Sequence, residues 1–330
     1  MKLSIVTTLY RSADSIEEFY RRSMMAAEKL FDAVELIMVN DGSPDDSVQR
    51  AIAIHRVDSR VVVVDLARNF GHHKAMMTGL AHASGDLVFL IDSDLEEEPE
   101  LLARFHTRLV VENCDVVYGV QKSRRGNLLE QLSGRLYYTM VEMLSDQPVP
   151  RNLVTARLMT REYVRVLIRY RDREFLISHL WQIAGYKQLS IEIDKLALSP
   201  TSYSLRHRIE IGIKHVTTTS TKLLYMVLYF GLSIFSLSIL TIVYFLSRYL
   251  ASGIGVDGFT SLIVSVWFFG GSTTLVLGIL GIYIANISSE SKRRPYTVVK
   301  RVYRPPALAP TLSAAELSTA TTELQTKQQQ

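Results

Sequence analysis

The sequence predicts an α/β domain followed by two membrane-spanning helices, and two observations support this prediction. Up to about residue 200, apolar segments rich in β-branched residues alternate with stretches of helical length, which is typical of a doubly wound parallel sheet. Beyond it, 223–246 and 259–287 contain no charged residue, and each is long enough to cross a bilayer. The chain is 48% hydrophobic and 21% charged, which fits a soluble domain joined to an apolar anchor.

The elements of the α/β domain are predicted to alternate along the chain. Strands are expected at 2–10, 34–40, 60–67, 86–92 and 115–120. Helices are expected at 12–30, 47–55, 70–83 and 98–112. The continuous apolar character of strands such as "LVFLI" indicates a sheet that helices cover on both faces.

Acidic residues cluster where the fourth predicted strand ends, in "FLIDSDLEEEPELL". Open α/β sheets bind ligands at the carboxyl ends of their strands. Asp92 and Asp94 are therefore candidate ligands of Mg²⁺ or Mn²⁺, which take oxygen ligands and share phosphate oxygens with substrates. Glu96 is a candidate third ligand. Helix capping also produces such a pair of aspartates, so the motif alone leaves both interpretations open.

The rest of the acidic run has a simpler interpretation. Glu97, Glu98 and Glu100 lie with Pro99 at the start of the fourth predicted helix. Proline suits the first turn of a helix, and the helix dipole favours negative charge there. We expect these three glutamates to open the helix.

A second acidic turn follows the second predicted strand, in "VNDGSPDDS". Asn40 and Asp41 stand at the strand's carboxyl end, and Gly42 permits a tight turn with a close backbone approach. Such a turn is suited to hold a nucleoside. Ordinary Asp-Gly-Ser turn chemistry is the alternative.

Basic residues flank the two apolar stretches. Arg206, Arg208, Lys214 and Lys222 precede the first, and "SKRRPYTVVKRVYR" follows the second, whereas the connector holds one basic residue. The positive-inside rule places both flanks and the α/β domain in the cytoplasm. The predicted divisions are the α/β domain at 1–204, a basic juxtamembrane helix at 205–222, two membrane helices at 223–288, and a basic segment with a disordered tail at 289–330.

Charge and cysteine content narrow the function only slightly. The net charge of +4 favours an anionic partner such as a phosphate or an acidic lipid surface, and nothing indicates a nucleic-acid partner. A single cysteine, Cys114, excludes an intrachain disulfide and is expected to be a buried thiol.

The motifs in combination resemble family 2 glycosyltransferases with a GT-A (Rossmann-like) fold. Within that family the chain resembles the polyisoprenyl-phosphate glycosyltransferases, the group that includes dolichol-phosphate mannose synthase and GtrB-type enzymes. The resemblance runs from about residue 3 to about residue 300 and is strongest where the α/β pattern carries its motifs. Those motifs are "VNDGSPDD", "LARNFGHHKAMMTGLAHASGDLVFLIDSDLEEEPELL", "DVVYGVQKSRRG" and "RLMTR".

The resemblance implies an inverting enzyme that moves one sugar from a nucleotide-sugar to a polyprenyl phosphate, which in a bacterium is undecaprenyl phosphate. It implies a multi-pass protein of the bacterial inner membrane with its catalytic domain in the cytoplasm. It also implies a homo-oligomer, a tetramer, and a separate flippase for the lipid-linked sugar. The sugar and the nucleobase are left open.

The resemblance also implies roles for single residues. Asn40, Asp41 and Arg68 belong to the donor site, and Asp92 and Asp94 hold Mg²⁺ or Mn²⁺ on the donor diphosphate. Glu96 occupies a position where relatives often have a glutamine ligand. Arg124, with Arg125, matches a basic stretch that meets the acceptor phosphate, and Arg157, with Arg161, matches the acceptor-side segment. Asp94, Arg124 and Arg157 are the predicted catalytic residues.

The chain departs from the resemblance where relatives have a proposed catalytic base. Many relatives have Gly-Asp-Phe before the "RLM" motif, whereas this chain has Val154, Thr155 and Ala156. A phosphate monoester has a second pKa of about 6 and is largely a dianion at neutral pH. Such an acceptor has no proton to lose before it attacks, so the missing base does not exclude catalysis.

A second departure concerns donor recognition. Arg11 and Ser12 stand where many relatives have an Asn-Glu pair that helps to read the nucleobase, and His72, His73 and Lys74 form an unusually basic helix start. The basic residues suit either phosphate contacts or a simple helix start.

Two rival functions follow from the same motifs. A processive polysaccharide synthase would carry a Gln-x-x-Arg-Trp motif, which the stretch "SHLWQIAGY" lacks. A membrane scaffold built on a retired transferase would explain the missing Gly-Asp-Phe, but the intact "DSD" at 92–94 argues against it.

Overall fold

The computed structural model describes residues 1–121, 153–170, 172–173, 175–194, 222–252, 258–292 and 294–304. Several predicted features lie outside these residues. They are Arg124 and Arg125, the juxtamembrane helix before Lys222, and the tail from residue 305.

The amino-terminal half alternates strands and helices as the sequence predicts. The strands are β1 Lys2–Leu9, β2 Ala33–Asn40, β3 Val61–Leu66, β4 Leu87–Leu90 and β5 Val116–Gln121. The helices between them are α1 Ile16–Glu28, α2 Ser47–Val57, α3 His72–His82 and α4 Leu101–Val111. The later elements are β6 Leu153–Thr160, α5 Arg161–Leu167, α6 Ile177–Ile183, β7 Gln188–Ile193, α7 Lys222–Ser252, α8 Phe259–Ser291 and β8 Val299–Tyr303.

The described strands form one sheet in the order β7-β5-β6-β4-β1-β2-β3-β8. Strands β1 to β4 are parallel to their neighbours among themselves, as predicted, and β7 is parallel to β5. The predicted parallel sheet is confirmed only in part, because β6 runs antiparallel to β4 and β5, and β8 runs antiparallel to β3. Neither strand belongs to the strand–helix alternation from which the parallel sheet was predicted.

Apolar side chains cover both faces of the sheet, which explains the continuous apolar strands. On one face Ile5 and Phe89 pack under α1, α2 and α4, with Phe89 and Phe105 in edge-to-face contact at 6.2 Å. On the other face Val6 and Leu90 pack under α3, α5 and α6. Cys114 is buried at the edge of the first core, as predicted.

The two apolar stretches form long helices, α7 of 31 residues and α8 of 33 residues. Within the described residues, one helical segment, Phe268–Ser288, is long and apolar enough to cross a membrane, and α7 holds a shorter apolar stretch, Leu224–Ile234. None of the Phe268–Ser288 window is buried inside the protein. An exposed apolar surface of this extent is typical of a face that contacts lipid or protein.

Candidate active site

The two acidic turns lie at the same edge of the sheet. Strand β1 pairs with β2 on one side and β4 on the other, and all three are parallel. Asp41 follows β2, whereas Asp92 and Asp94 follow β4. The topology therefore places the two predicted ligand-binding turns on either side of the carboxyl end of β1.

Asp41 shapes the loop that precedes α3. Its carboxylate accepts hydrogen bonds from the backbone N–H of Phe70 at 2.7 Å and of Gly71 at 3.1 Å. Burial raises the pKa of Asp41 above its usual value, although the two N–H groups oppose this shift. Gly42 has a φ of +59°, and an added Cβ would lie 2.4 Å from the backbone N of Asn69. The turn and the loop therefore fit together only with glycine at this position.

Asn40 connects this turn to the end of β3. Its side-chain amide donates to Asp65 Oδ1 at 2.7 Å, and its Oδ1 accepts from the backbone N–H of Ser43 at 3.2 Å. Asn40 is 3% exposed. The predicted donor-site residue is thus part of a buried framework beneath the turn.

His72, the first residue of α3, lies between the two strand ends. Its Nδ1 is 3.0 Å from Thr8 Oγ1, and its Nε2 is 3.3 Å from Asp92 Oδ1. Burial opposes the charged form, but the hydrogen bond and charge of Asp92 raise the pKa of His72 above its usual value. No sequence pattern distinguishes a role for His72, because its contact with Asp92 depends on the packing of α3 on the sheet.

A cavity of about 310 Å³ opens at this edge. It is lined by Thr8, Tyr10, Asp41, Asn69, Gly71 and His72. Arg68 lies on the same loop, where its guanidinium stacks over the Phe70 ring at 4.2 Å and donates to the Asn69 carbonyl oxygen at 3.0 Å. An exposed arginine held in this way keeps donors available for an anion.

The aspartates after β4 provide oxygen ligands of the kind that Mg²⁺ and Mn²⁺ prefer. Asp94 accepts a hydrogen bond from the backbone N–H of Glu96 at 3.0 Å, across a turn in which Leu95 has a φ of +62°. Among the described residues, no three His, Cys, Asp or Glu side chains are grouped as a metal site. The structure therefore does not assemble Asp92, Asp94 and Glu96 into a three-ligand group. Two carboxylates still fit a cation whose other positions are taken by water and phosphate oxygens.

Arg157 lies inside the domain. It is 1% exposed, and its position in β6 is opposite Leu90 of β4 and Tyr118 of β5. Its guanidinium carbon is 2.9 Å from the centre of the Trp181 ring. Burial lowers the pKa of Arg157 to about 9, so the side chain still carries its charge at neutral pH.

Glu97 does not belong to the helix start, and this part of the sequence prediction is wrong. Its carboxylate is 1% exposed and accepts hydrogen bonds from the backbone N–H groups of Thr155 at 3.1 Å and Ala156 at 2.7 Å. Glu100, directly before α4, forms an ion pair with Arg22 of α1 at 2.6 Å. The antiparallel strand β6 supplies the partners of Glu97, and its position was not predictable from the acidic run.

Comparisons with known proteins identify the family. A model of glycosyl transferase family 2 matches residues 4–168. The chain is 42% identical over 325 residues to a Mycobacterium tuberculosis (strain CDC 1551 / Oshkosh) protein described as "Putative glycosyltransferases", covering 96% of this chain and 95% of the relative. The chain belongs to glycosyl transferase family 2. The enzyme is therefore a glycosyltransferase, and its mixed sheet is the GT-A-like α/β fold that the resemblance implied.

One further relative matches almost the whole chain, whereas a solved structure matches only part of it. The glycosyltransferase is 28% identical over 311 residues to the undecaprenyl-phosphate 4-deoxy-4-formamido-L-arabinose transferase of Salmonella choleraesuis (strain SC-B67), covering 92% of this chain and 94% of the relative. A solved structure, glucosyl-3-phosphoglycerate synthase from Mycobacterium tuberculosis with Mn²⁺ and UDP-glucose, aligns with a TM-score of 0.41 and 20% identity over 66% of this chain and 76% of that chain. That structural likeness is too distant to support an argument about substrates.

Replacing Glu97 by alanine is expected to destabilise the glycosyltransferase by roughly 2–6 kcal/mol. The reason is that the buried N–H of Ala156 and the partly buried N–H of Thr155 lose their acceptor, at about 1–3 kcal/mol each. Glu97→Gln retains one acceptor oxygen and is expected to cost less. Thermal unfolding of the purified protein measures both. Glu98→Ala is the matched control, because Glu98 is an exposed neighbour in the same run. Equal melting temperatures for Glu97→Ala and Glu98→Ala would contradict this role.

Proposed function

We propose that this family 2 glycosyltransferase moves one sugar from a nucleotide-sugar to a polyprenyl phosphate, undecaprenyl phosphate in a bacterium, with inversion at the anomeric carbon. The observation that carries the proposal is that α8, an exposed apolar helix of 33 residues, continues into β8 of the catalytic sheet. An enzyme whose sheet is joined to an apolar helix is suited to an acceptor that is itself a lipid. The undecaprenyl-phosphate relative supports the same acceptor class.

The donor is proposed to bind in the cavity between β1, β2 and the loop before α3. Asp41 fixes that loop through Phe70 and Gly71, and Tyr10 also lines the cavity. Arg68 at the loop surface is placed to contact the diphosphate. Ser12 stands in place of the relatives' glutamate, and its side chain accepts a hydrogen bond from the Tyr10 N–H at 3.2 Å. It therefore organises the turn.

Asp92 and Asp94 are proposed to hold Mg²⁺ or Mn²⁺ at the diphosphate. A divalent cation there would stabilise the charge that develops on the departing nucleoside diphosphate. His72, through its contact with Asp92, is placed to fix the orientation of that carboxylate. Side chains fixed in this way reduce the rearrangement that the reaction requires.

The acceptor phosphate is proposed to attack without a protein base. A phosphate dianion needs no deprotonation at neutral pH, and the residue in the position of the relatives' proposed base, Thr155, has no useful basicity. The charge of Arg157, with that of Arg124 in the part of the chain outside the described residues, would reduce repulsion between the acceptor and the donor diphosphate.

The membrane arrangement is also proposed. Both α7 and α8 would cross the bilayer, with the catalytic domain in the cytoplasm of a bacterial cell. A homo-oligomer, a tetramer by resemblance, and a separate flippase for the product are further proposals. The exposed apolar surface of α8 and the basic residues Lys222, Lys292 and Arg294 at the helix ends support this topology.

Topology is tested by cysteine labelling in a Cys114→Ala background. A cysteine at position 255, between the two helices, is expected to react with a membrane-impermeant maleimide in spheroplasts, because few basic residues retain that connector inside. A cysteine at position 313 is expected to react only after lysis. Labelling of position 313 but not of position 255 in intact spheroplasts would contradict the proposed topology.

The function is tested with purified protein, a short-chain polyprenyl phosphate and a panel of radiolabelled nucleotide-sugars with Mn²⁺ or Mg²⁺. We expect one nucleotide-sugar to give a lipid carrying a single sugar. A polymeric product would instead indicate a polysaccharide synthase. If no nucleotide-sugar gives a lipid-linked product and none is hydrolysed in a metal-dependent way, the retired scaffold would be favoured.

A further inference from the structure

The segment that follows α8 is fixed to the catalytic sheet by several contacts. Tyr296 packs edge-to-face on Phe175 at 6.1 Å, and the Thr297 hydroxyl is 2.8 Å from that of Thr78. The Val298 carbonyl oxygen accepts from the backbone N–H of Ala67 at 2.9 Å. Strand β8 then pairs with β3 up to Tyr303. The chain thus returns from the apolar helix to the residue directly before Arg68.

The pairing of β8 with β3 is irregular at one position. Asp65 is opposite Arg301, but Leu66 is opposite Val299, so the register shifts and Lys300 is an extra residue on β8. A bulge of this kind bends the strand and redirects the side chain of the extra residue. The Lys300 ammonium lies 3.7 Å from Asp65 Oδ2.

Asp65 links this lysine to the donor site. The Asp65 side chain is 11% exposed, and its other oxygen accepts from the Asn40 side-chain amide at 2.7 Å. Asn40 in turn accepts from the backbone N–H of Ser43, across the turn that contains Asp41. A continuous set of polar contacts therefore runs from the post-helix strand to the turn that lines the donor cavity.

We propose that β8 completes the donor site and that Lys300 is a positioning residue for the nucleoside diphosphate. Lys300 holds the Asp65 carboxylate oriented towards Asn40, which keeps the turn at 40–43 and the loop that Asp41 binds in the donor-binding shape. An exposed ion pair alone contributes little to stability. A buried carboxylate that loses its cation, however, leaves its hydrogen-bonded partners without a fixed acceptor. This inference rests on the proposed function, because it concerns the same donor cavity.

The test is the binding of a nucleoside diphosphate to full-length protein in detergent. Wild-type protein is titrated calorimetrically with UDP, GDP, CDP and ADP in MnCl₂, and the tightest ligand is then used for all variants. Lys300→Met is expected to weaken its binding roughly three- to tenfold, the range of one ordinary hydrogen bond, because Lys300 acts indirectly through Asp65. Lys300→Arg is expected to restore most of the affinity. Arg301→Met removes the same charge one residue along β8 and is expected to bind as wild type does.

Asp65→Asn provides an independent check. If Lys300 acts through Asp65, the double variant Lys300→Met/Asp65→Asn is expected to bind no more weakly than Asp65→Asn alone. The KM for the polyprenyl phosphate is expected to stay unchanged in Lys300→Met, and its melting temperature is expected to match that of Arg301→Met. A purely structural role would instead lower the melting temperature and leave donor affinity unchanged.

The outcomes separate the inference from the proposed function. Wild-type affinity in Lys300→Met, equal losses in Lys300→Met and Arg301→Met, or no recovery in Lys300→Arg would each overturn the role of Lys300 and leave the proposed function standing. Failure of the wild-type protein to bind any of the four nucleoside diphosphates would overturn the proposed function together with the inference.

Discussion

Asp94→Ala is expected to lose at least about a hundredfold in sugar transfer while the protein stays folded. Asp94 is exposed, and its carboxylate accepts a hydrogen bond from the Glu96 N–H within the turn. Removal of this exposed side chain therefore changes little packing. In the proposed reaction its carboxylate binds the cation that balances charge on the leaving diphosphate. Loss of one such electrostatic stabiliser costs roughly 10²–10³ in rate.

The measurement is transfer to a short-chain polyprenyl phosphate, with thermal unfolding to confirm folding. Glu98→Ala is the matched control, because it removes an exposed carboxylate from the same run. Titration of Mn²⁺ followed by electron paramagnetic resonance is expected to show weaker binding in Asp94→Ala than in Glu98→Ala. EDTA is expected to stop wild-type transfer, and Mn²⁺ or Mg²⁺ to restore it. Full turnover in EDTA would refute the proposed metal site.

Replacement of Arg157 is expected to have the second large effect, and the structure changes how it must be tested. The side chain is buried against Trp181 and also contacts the carbonyl oxygens of Val154 and Thr155. Arg157→Ala would leave a cavity, at a cost of about 2–5 kcal/mol. A loss of activity in that variant would therefore not reveal whether the charge is used.

Arg157→Met separates packing from charge, because methionine fills much of the volume without the guanidinium. We therefore expect Arg157→Met to lose less stability than Arg157→Ala, which also leaves a cavity. Transfer is expected to fall roughly ten- to a hundredfold if the charge acts in the transition state. Arg157→Lys is expected to recover only part of the activity, because an ammonium lacks the planar fork.

Thr155→Ala is the control for the missing base. The Thr155 backbone N–H is bound by Glu97, a contact that alanine preserves, so we expect substantial activity in this variant. If Arg157→Met transfers sugar at the wild-type rate, the arginine has only a structural role. Equal damage in Thr155→Ala and Arg157→Met would contradict the claim that position 155 is chemically silent.

The sequence alone determined the features that depend on local pattern. Continuous apolar runs predicted β1 to β5, because strands buried on both faces need such residues. The sequence motifs at the turns after β2 and β4 indicated the family, and the family model and the Mycobacterium relative confirm it. The long apolar stretches predicted the helices α7 and α8, because charge-free runs of that length are rare in soluble domains.

Only the tertiary structure decided which side chains share a site. The buried bond from Glu97 to β6 and the burial of Arg157 both follow from an antiparallel strand that enters the sheet from far along the chain. The link from Lys300 to Asp65 spans more than two hundred residues and depends on a one-residue shift in pairing. Local propensity carries no information on such contacts, because strand order and register are set by the packing of the whole sheet.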